Sequence, residues 1–92
     1  MSLDVNEHQL TVIKEICKTQ AVNIAGGNQN CPVPTGARLY VPTNGTIAGV
    51  LVMNDVAVTT TRVIEDAPRY TDERWSRVNQ SGTTAANLEW AW

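Results

Sequence analysis

Phenylalanine is absent, histidine occurs once and cysteine twice in these 92 residues. Each scarcity excludes some chemistry. A structural zinc site takes close to four nitrogen, sulfur or oxygen ligands at short paired spacings, and His8 with Cys17 and Cys31 cannot supply them in one chain. Nucleophilic hydrolysis needs a base that deprotonates the nucleophile. His8 falls on the solvated side of its expected helix and does not face Cys17, so neither cysteine has a base fixed beside it. The glycines at 26, 27 and 45 lack the Lys-Ser/Thr that a phosphate-binding loop requires and read as turn residues. Asp66, Asp72 and Glu73 are interspersed with Arg62, Arg69, Arg74 and Arg77, which reads as an ion-pair surface rather than an acid–base pair. No catalytic, cofactor-binding or metal-binding residue is expected, and the chain reads as non-enzymatic.

Basic charge is equally scarce. The lysines are Lys14 and Lys18, the arginines all lie beyond residue 37, and the formal net charge is -2. That is too little positive surface to track phosphates, so nucleic acid is not an expected partner. No apolar run approaches the roughly twenty residues of a membrane span, and Met1-Ser2-Leu3-Asp4 does not read as a secretion signal. Neither a membrane nor export is expected. The length limits the chain to one small domain, too short for a dinucleotide-binding fold or an α/β barrel.

What is abundant is valine and threonine, eleven of each. Both fill a pleated surface well and lose little rotamer freedom there. Six glycines, four prolines and eight asparagines punctuate the chain into short elements. The expected fold is mainly β with an N-terminal helix or arm, in a small antiparallel barrel-like or sandwich domain. Residues 1–25 form the helix or arm and residues 26–92 the β-rich domain with a Trp-containing C-terminal segment.

The helix is expected over residues 4–20. Asp4 and Glu7 have the spacing of a capping box, and Leu3, Leu10, Ile13 and Cys17 make an apolar stripe. The β-branched Thr11, Val12, Ile13, Ile16 and Thr19 keep an extended arm open as the alternative. Ala21 to Ala25 reads as a first strand and Ala37 to Val41 as another. Asn44-Gly45 is the strongest local hairpin signal, joining Leu39–Val41 to Ile47–Met53. The latter is apolar on both faces and reads as a central strand. Asn54-Asp55 turns the chain into a long strand over Val56 to Glu65 with one Thr-rich face, which completes a three-stranded meander. Residues 71–78 read as helical turns capped by Thr71, with Trp75 and Val78 on one face. The tail reads as a strand with Leu88, Trp90 and Trp92 on one side, or as a helix capped by Thr83 or Thr84. Cys17 and Cys31 either pair as one staple, worth about 3 kcal/mol, or remain a buried small hydrophobe and a free thiol.

Two tryptophans at a chain end must dock on something, since termini otherwise fray. Leu10, Ile13, Tyr70, Trp75, Trp90 and Trp92 are the expected interface residues, aromatic or apolar groups suited to contact with a partner. The segments Gly36-Ala37-Arg38-Leu39 and Ala48-Gly49-Val50-Leu51-Val52-Met53-Asn54-Asp55-Val56-Ala57-Val58 resemble the small head-decoration and head-fibre base proteins of tailed bacteriophages. The match covers about a quarter of the chain. The resemblance implies a homo-oligomer, most often a trimer, bound to the outside of a capsid or other large protein assembly. It also implies location in the virion after assembly in the host cytoplasm. In such a protein residues 2–20 would make the shell contacts and the strand pair around Asn54-Asp55 would be scaffold. The alternative is a small monomeric adaptor or inhibitor, cytoplasmic, that binds one partner protein through an aromatic and arginine surface around Tyr70, Trp75 and Trp90.

Overall fold

Alternation of apolar and polar residues places the strands. In β3 (Arg38–Val41) Leu39 and Val41 are buried while Arg38 and Tyr40 are half-exposed. The computed structural model describes Gln9 and residues 13–92. These make a small mainly-β domain with two antiparallel sheets and a short N-terminal helical element. The other strands are β1 (Thr19–Ala21), β2 (Gln29–Asn30), β4 (Gly45–Met53), β5 (Val56–Ile64), β6 (Arg69–Tyr70), β7 (Arg74–Val78) and β8 (Glu89–Ala91). One sheet has the order β1-β8-β3-β6 and the other β2-β7-β4-β5.

Leu39, Val41 and Trp90 from the first sheet share one core with Ile47, Leu51, Trp75 and Val78 from the second. All seven are fully buried. Among the described residues one isolated bridge joins the sheets at a corner, where Ala37 and Trp75 exchange backbone hydrogen bonds of 3.1 and 2.7 Å. The accessible surface is 5499 Å², close to the about 5,200 Å² that scaling gives for this mass.

Four expectations need correction. The helix expected over 4–20 is helical among the described residues at Gln9 and 13–15, and residues 4–8 and 10–12 lie outside the described residues. By Thr19 the chain is a strand, because the chain end recruits it. Cys17 and Lys18 N–H groups donate to the Trp92 carbonyl at 2.7 and 2.6 Å, and the Trp92 N–H donates to the Lys18 carbonyl at 2.9 Å. The first strand accordingly ends at Ala21 rather than spanning 21–25.

The second correction concerns residues 71–78. They are not helical; Arg74–Val78 is β7, paired with both β2 and β4. Its register on β4 shifts between Val50 and Leu51, so Leu51 faces Trp75 while Val50 faces Arg77. Ser76 is the extra residue of a β-bulge, and an extra residue reverses the alternation. Trp75 and Val78 therefore share the core face at a spacing of three, which in sequence imitates a helix.

Third, Asn44-Gly45 does not close a hairpin. β3 and β4 lie in different sheets, and the expected meander reduces to the β4–β5 pair. Asn44 Oδ1 accepts from the Ala67 N–H at 2.8 Å, and a Cβ on Gly45 would stand 2.7 Å from the Ala85 backbone. The Asn-Gly pair serves a cross-chain bond and a close approach rather than a turn. Fourth, Cys17 and Cys31 are not joined. Cys17 is exposed, not a buried small hydrophobe, and Cys31 is a half-buried free thiol.

Other expectations hold. β3, β4 and β5 fall where alternation puts them, β4 is internal to its sheet, and the tail is a strand. Thr83 and Thr84 are not helix caps. Their hydroxyls accept from the Ala48 and Thr46 N–H groups at 3.0 and 2.8 Å, covering the β4 edge beyond the end of β7.

Candidate binding surface

The surface that stands out is built on the β4–β5 hairpin. Asn54 and Asp55 both have positive φ, 51° and 64°, the conformation of a type I′ turn, whose twist matches that of the flanking strands. Asn and Asp tolerate this region better than most residues. Met53 then faces Val56, and the pairing runs unbroken to Gly45 opposite Ile64.

The direction of each β5 backbone group follows from β4. Ala48 and Thr46 carbonyls accept from Asn79 and Thr84 at 2.8 Å each, and their N–H groups bond to threonine hydroxyls. Even-numbered β4 residues thus turn their backbone away from β5, so odd-numbered ones turn toward it. In an antiparallel ladder each directly opposed pair either exchanges both hydrogen bonds or none. Val56, Val58, Thr60, Arg62 and Ile64 therefore bond to β4, while Ala57, Thr59, Thr61 and Val63 point N–H and C=O outward. Among the described residues no strand pairs with that outer edge.

Other edges are managed differently. β2 has two residues and β1 has three. The edge of β6 is occupied by a buried side-chain amide, since Gln9 Nε2 donates to the Tyr70 carbonyl at 3.0 Å and the Tyr70 N–H donates to Gln9 Oε1 at 2.9 Å. Proteins normally blunt their edges in such ways because an open edge invites another strand. β5 is nine residues long, carries no proline or lysine and has one charge, Arg62. Apolar side chains are also exposed along it: Val56 is 60 % exposed, Val63 66 % and Met53, across the turn, 43 %.

The expected interface residues do not come together here. Trp75 and Trp90 are fully buried within the chain and offer no surface to a partner. The Trp90 indole donates to Gln29 Oε1 at 3.1 Å, while the Trp75 Nε1 is buried without a hydrogen-bond partner. Trp92 is half-buried against the same core, so the chain end docks on its own sheet. Ile13 is 44 % exposed, and Leu10 lies outside the described residues. Tyr70 is half-buried with its ring 5.0 Å from Tyr40. Burial, then Tyr40 and Glu89, push its phenol pKa up.

The arginine-rich segment is an ion-pair surface, as its composition indicates. Arg62 meets Glu73 at 3.1 Å, and Arg69 meets Asp66 at 2.8 Å and Asp72 at 3.3 Å around a shallow cleft between β5 and β6. Burial raises the Cys31 thiol pKa, opposed by the Val33 N–H that donates to its sulfur. Among the described residues no three His, Cys, Asp or Glu side chains gather where a metal ion could be held, and no helix is long and apolar enough to cross a membrane.

Sequence reasoning found the strand and its Thr-rich face but not its position at the edge. The near-complete absence of charge across residues 56–64 could not locate it, because an interior strand and an unguarded edge share that pattern. No family model, curated protein or solved structure matches the chain.

Proposed function

We propose that the chain is a non-enzymatic structural subunit that attaches to a large protein assembly by strand addition at β5. The observation that supports it is the open nine-residue edge, with its outward N–H and C=O groups and exposed valines. Main-chain bonds give such an attachment its affinity, and side-chain pockets on alternate residues give specificity. Repetition over many copies multiplies modest single contacts. The resemblance to phage head-decoration and head-fibre base proteins makes a virion surface the assembly, with self-association as part of the attachment. In finer detail the two sheets would be a sandwich joined at the Ala37–Trp75 corner.

The attachment differs from what the resemblance implies. The hairpin, not an arm at residues 2–20, is the contact element in this reading. The adaptor reading keeps the half-buried Tyr70 and the arginine beside it, Arg69, but loses Trp75 and Trp90 to the core, so β5 is favoured.

Immunogold microscopy of virus particles purified from the source culture tests the proposal. Gold is expected on the particle surface for the native chain and absent for Thr61→Pro. Thr61 has its N–H on the open side, where an edge strand accepts proline. A native chain that stays wholly in the particle-free supernatant would contradict the proposal.

A further inference from the structure

The residues of β5 form a near palindrome. Val56-Ala57-Val58 precede Thr59-Thr60-Thr61, and Arg62-Val63-Ile64 follow. Reversed about Thr60, apolar residues fall on apolar residues and threonines on threonines, with Arg62 against Val58 as the one exception. We infer that β5 pairs antiparallel with β5 of a second copy of this chain, Thr60 facing Thr60 across a twofold axis. The inference deepens the proposed function and rests on its reading of β5 as an open edge: a second copy fills that edge, and the paired copies rather than the single chain are what attach to the assembly.

Backbone parity selects this register with the side chains. The outward groups belong to Ala57, Thr59, Thr61 and Val63. A twofold through Thr60 sets Ala57 against Val63 of the second copy and Thr59 against Thr61, so outward groups meet outward groups. With two bonds per hydrogen-bonded pair, the ladder gains about eight backbone hydrogen bonds. Slipping by one residue on either copy would oppose inward groups to outward ones. Slipping by two preserves parity but leaves the ends unpaired and sets threonine against alanine or valine. The centred register pairs all of β5 and stacks threonine on threonine, a favourable cross-strand match.

Charge and exposure agree with that pairing. Arg62 is already bonded to Glu73 at 3.1 Å, and its opposite number is Val58, so no like charges face each other within the ladder. The arginine stem covers apolar surface while its head stays in water, and Val58, 38 % exposed, is such surface. The contact is isologous, as a twofold requires, and it joins the β2-β7-β4-β5 sheets of two copies into one continuous sheet.

Single cysteines read the register. In a Cys17→Ser, Cys31→Ser background, Thr60→Cys places two thiols at a non-hydrogen-bonded pair, with Cα atoms about 4.5 Å apart and within disulfide reach. Val58→Cys places its two thiols four residues out of step, about 14 Å apart. Under mild oxidation with glutathione disulfide, T60C is expected to form covalent dimer at least tenfold faster than V58C. T61P, combined with T60C, is expected to keep the native circular dichroism spectrum and abolish the cross-link. Equal rates for T60C and V58C, or a T60C cross-link that survives T61P in the folded protein, overturn the pairing. If T60C stays monomeric while T61P still strips the chain from purified particles, the second-copy occupant is overturned and strand addition to the particle stands.

Discussion

Gln9 and Tyr70 meet as two strands would. The Gln9 amide donates to the Tyr70 carbonyl at 3.0 Å and accepts from the Tyr70 N–H at 2.9 Å. One side chain thus closes the edge of the first sheet that would otherwise lie open beside β6. The contrast with β5 gives that strand its meaning, because one edge is sealed by a buried amide and the other, nine residues long, has no strand beside it among the described residues.

Gln9→Ala removes both bonds and leaves the Tyr70 N–H without its partner, while the Tyr70 carbonyl keeps the Arg69 Nε–H at 3.1 Å. The expected cost is about 1–3 kcal/mol, and a domain of this size loses about 4–8 °C in melting temperature per kcal/mol. Thermal denaturation followed by circular dichroism checks it. An unchanged melting temperature would show that the amide is not holding the edge.

Thr71 joins β3 to the start of β7. Its buried hydroxyl accepts from the Leu39 N–H at 2.9 Å and donates to the Glu73 carbonyl at 2.9 Å. Thr71→Val keeps the shape and strands the buried Leu39 donor, at an expected cost of about 1–3 kcal/mol. Urea unfolding is expected to show a lower midpoint with an unchanged slope.

Gly49 lies opposite Val78, where β4 pairs with β7. A Cβ there would run into the Arg77 carbonyl oxygen and stand 3.2 Å from Cε3 of the buried Trp75. Backbone is the obstacle, so no side-chain rotation relieves it. Gly49→Ala is expected to destabilise by more than Gly26→Ala, where nothing lies within 4 Å. Soluble yield and melting temperature of the two variants, compared side by side, decide it.

Period-two patterning made β3, β4, β5 and the tail strand legible, since each pairs by the ordinary alternation. It failed where one residue broke the alternation or a distant segment set the conformation. The Ser76 bulge gave Trp75 and Val78 a helical spacing, and Trp92 from the other end of the chain bonds to Lys18 and leads the chain into β1 at Thr19. Asn44-Gly45 misled for a related reason: its residue types suit a turn, but here they serve contacts with Ala67 and Ala85. The docking surface was half legible. The sequence showed a long strand with a Thr-rich face, but which strand has no second neighbour among the described residues is decided by sheet order, which no local pattern records.

Burial lifts the Cys31 pKa above its ordinary 9.0. A raised pKa favours the neutral thiol in the folded state, so its contribution to stability is complete below the unfolded value. That contribution is lost as pH rises through the folded value. Stability is expected to fall above about pH 9, with a smaller fall in Cys31→Ala. At neutral pH, exposed Cys17 is expected to react with a thiol reagent well before Cys31. Mass spectrometry of the partly labelled protein, unfolding curves at pH 7 and pH 10, and the same curves for the variant check both points. Labelling of Cys31 first would contradict the placement.

Amide hydrogen exchange across β5, read by NMR over a concentration series, tests the account most directly. At low concentration the amides of Val58, Thr60 and Arg62 are expected to be protected by β4, and those of Ala57, Thr59, Thr61 and Val63 to exchange freely. As concentration rises, protection should appear at the second set and leave the first unchanged. Outward amides that exchange equally fast at every concentration, or protection that does not alternate along the strand, would contradict an open edge that pairs with its own copy.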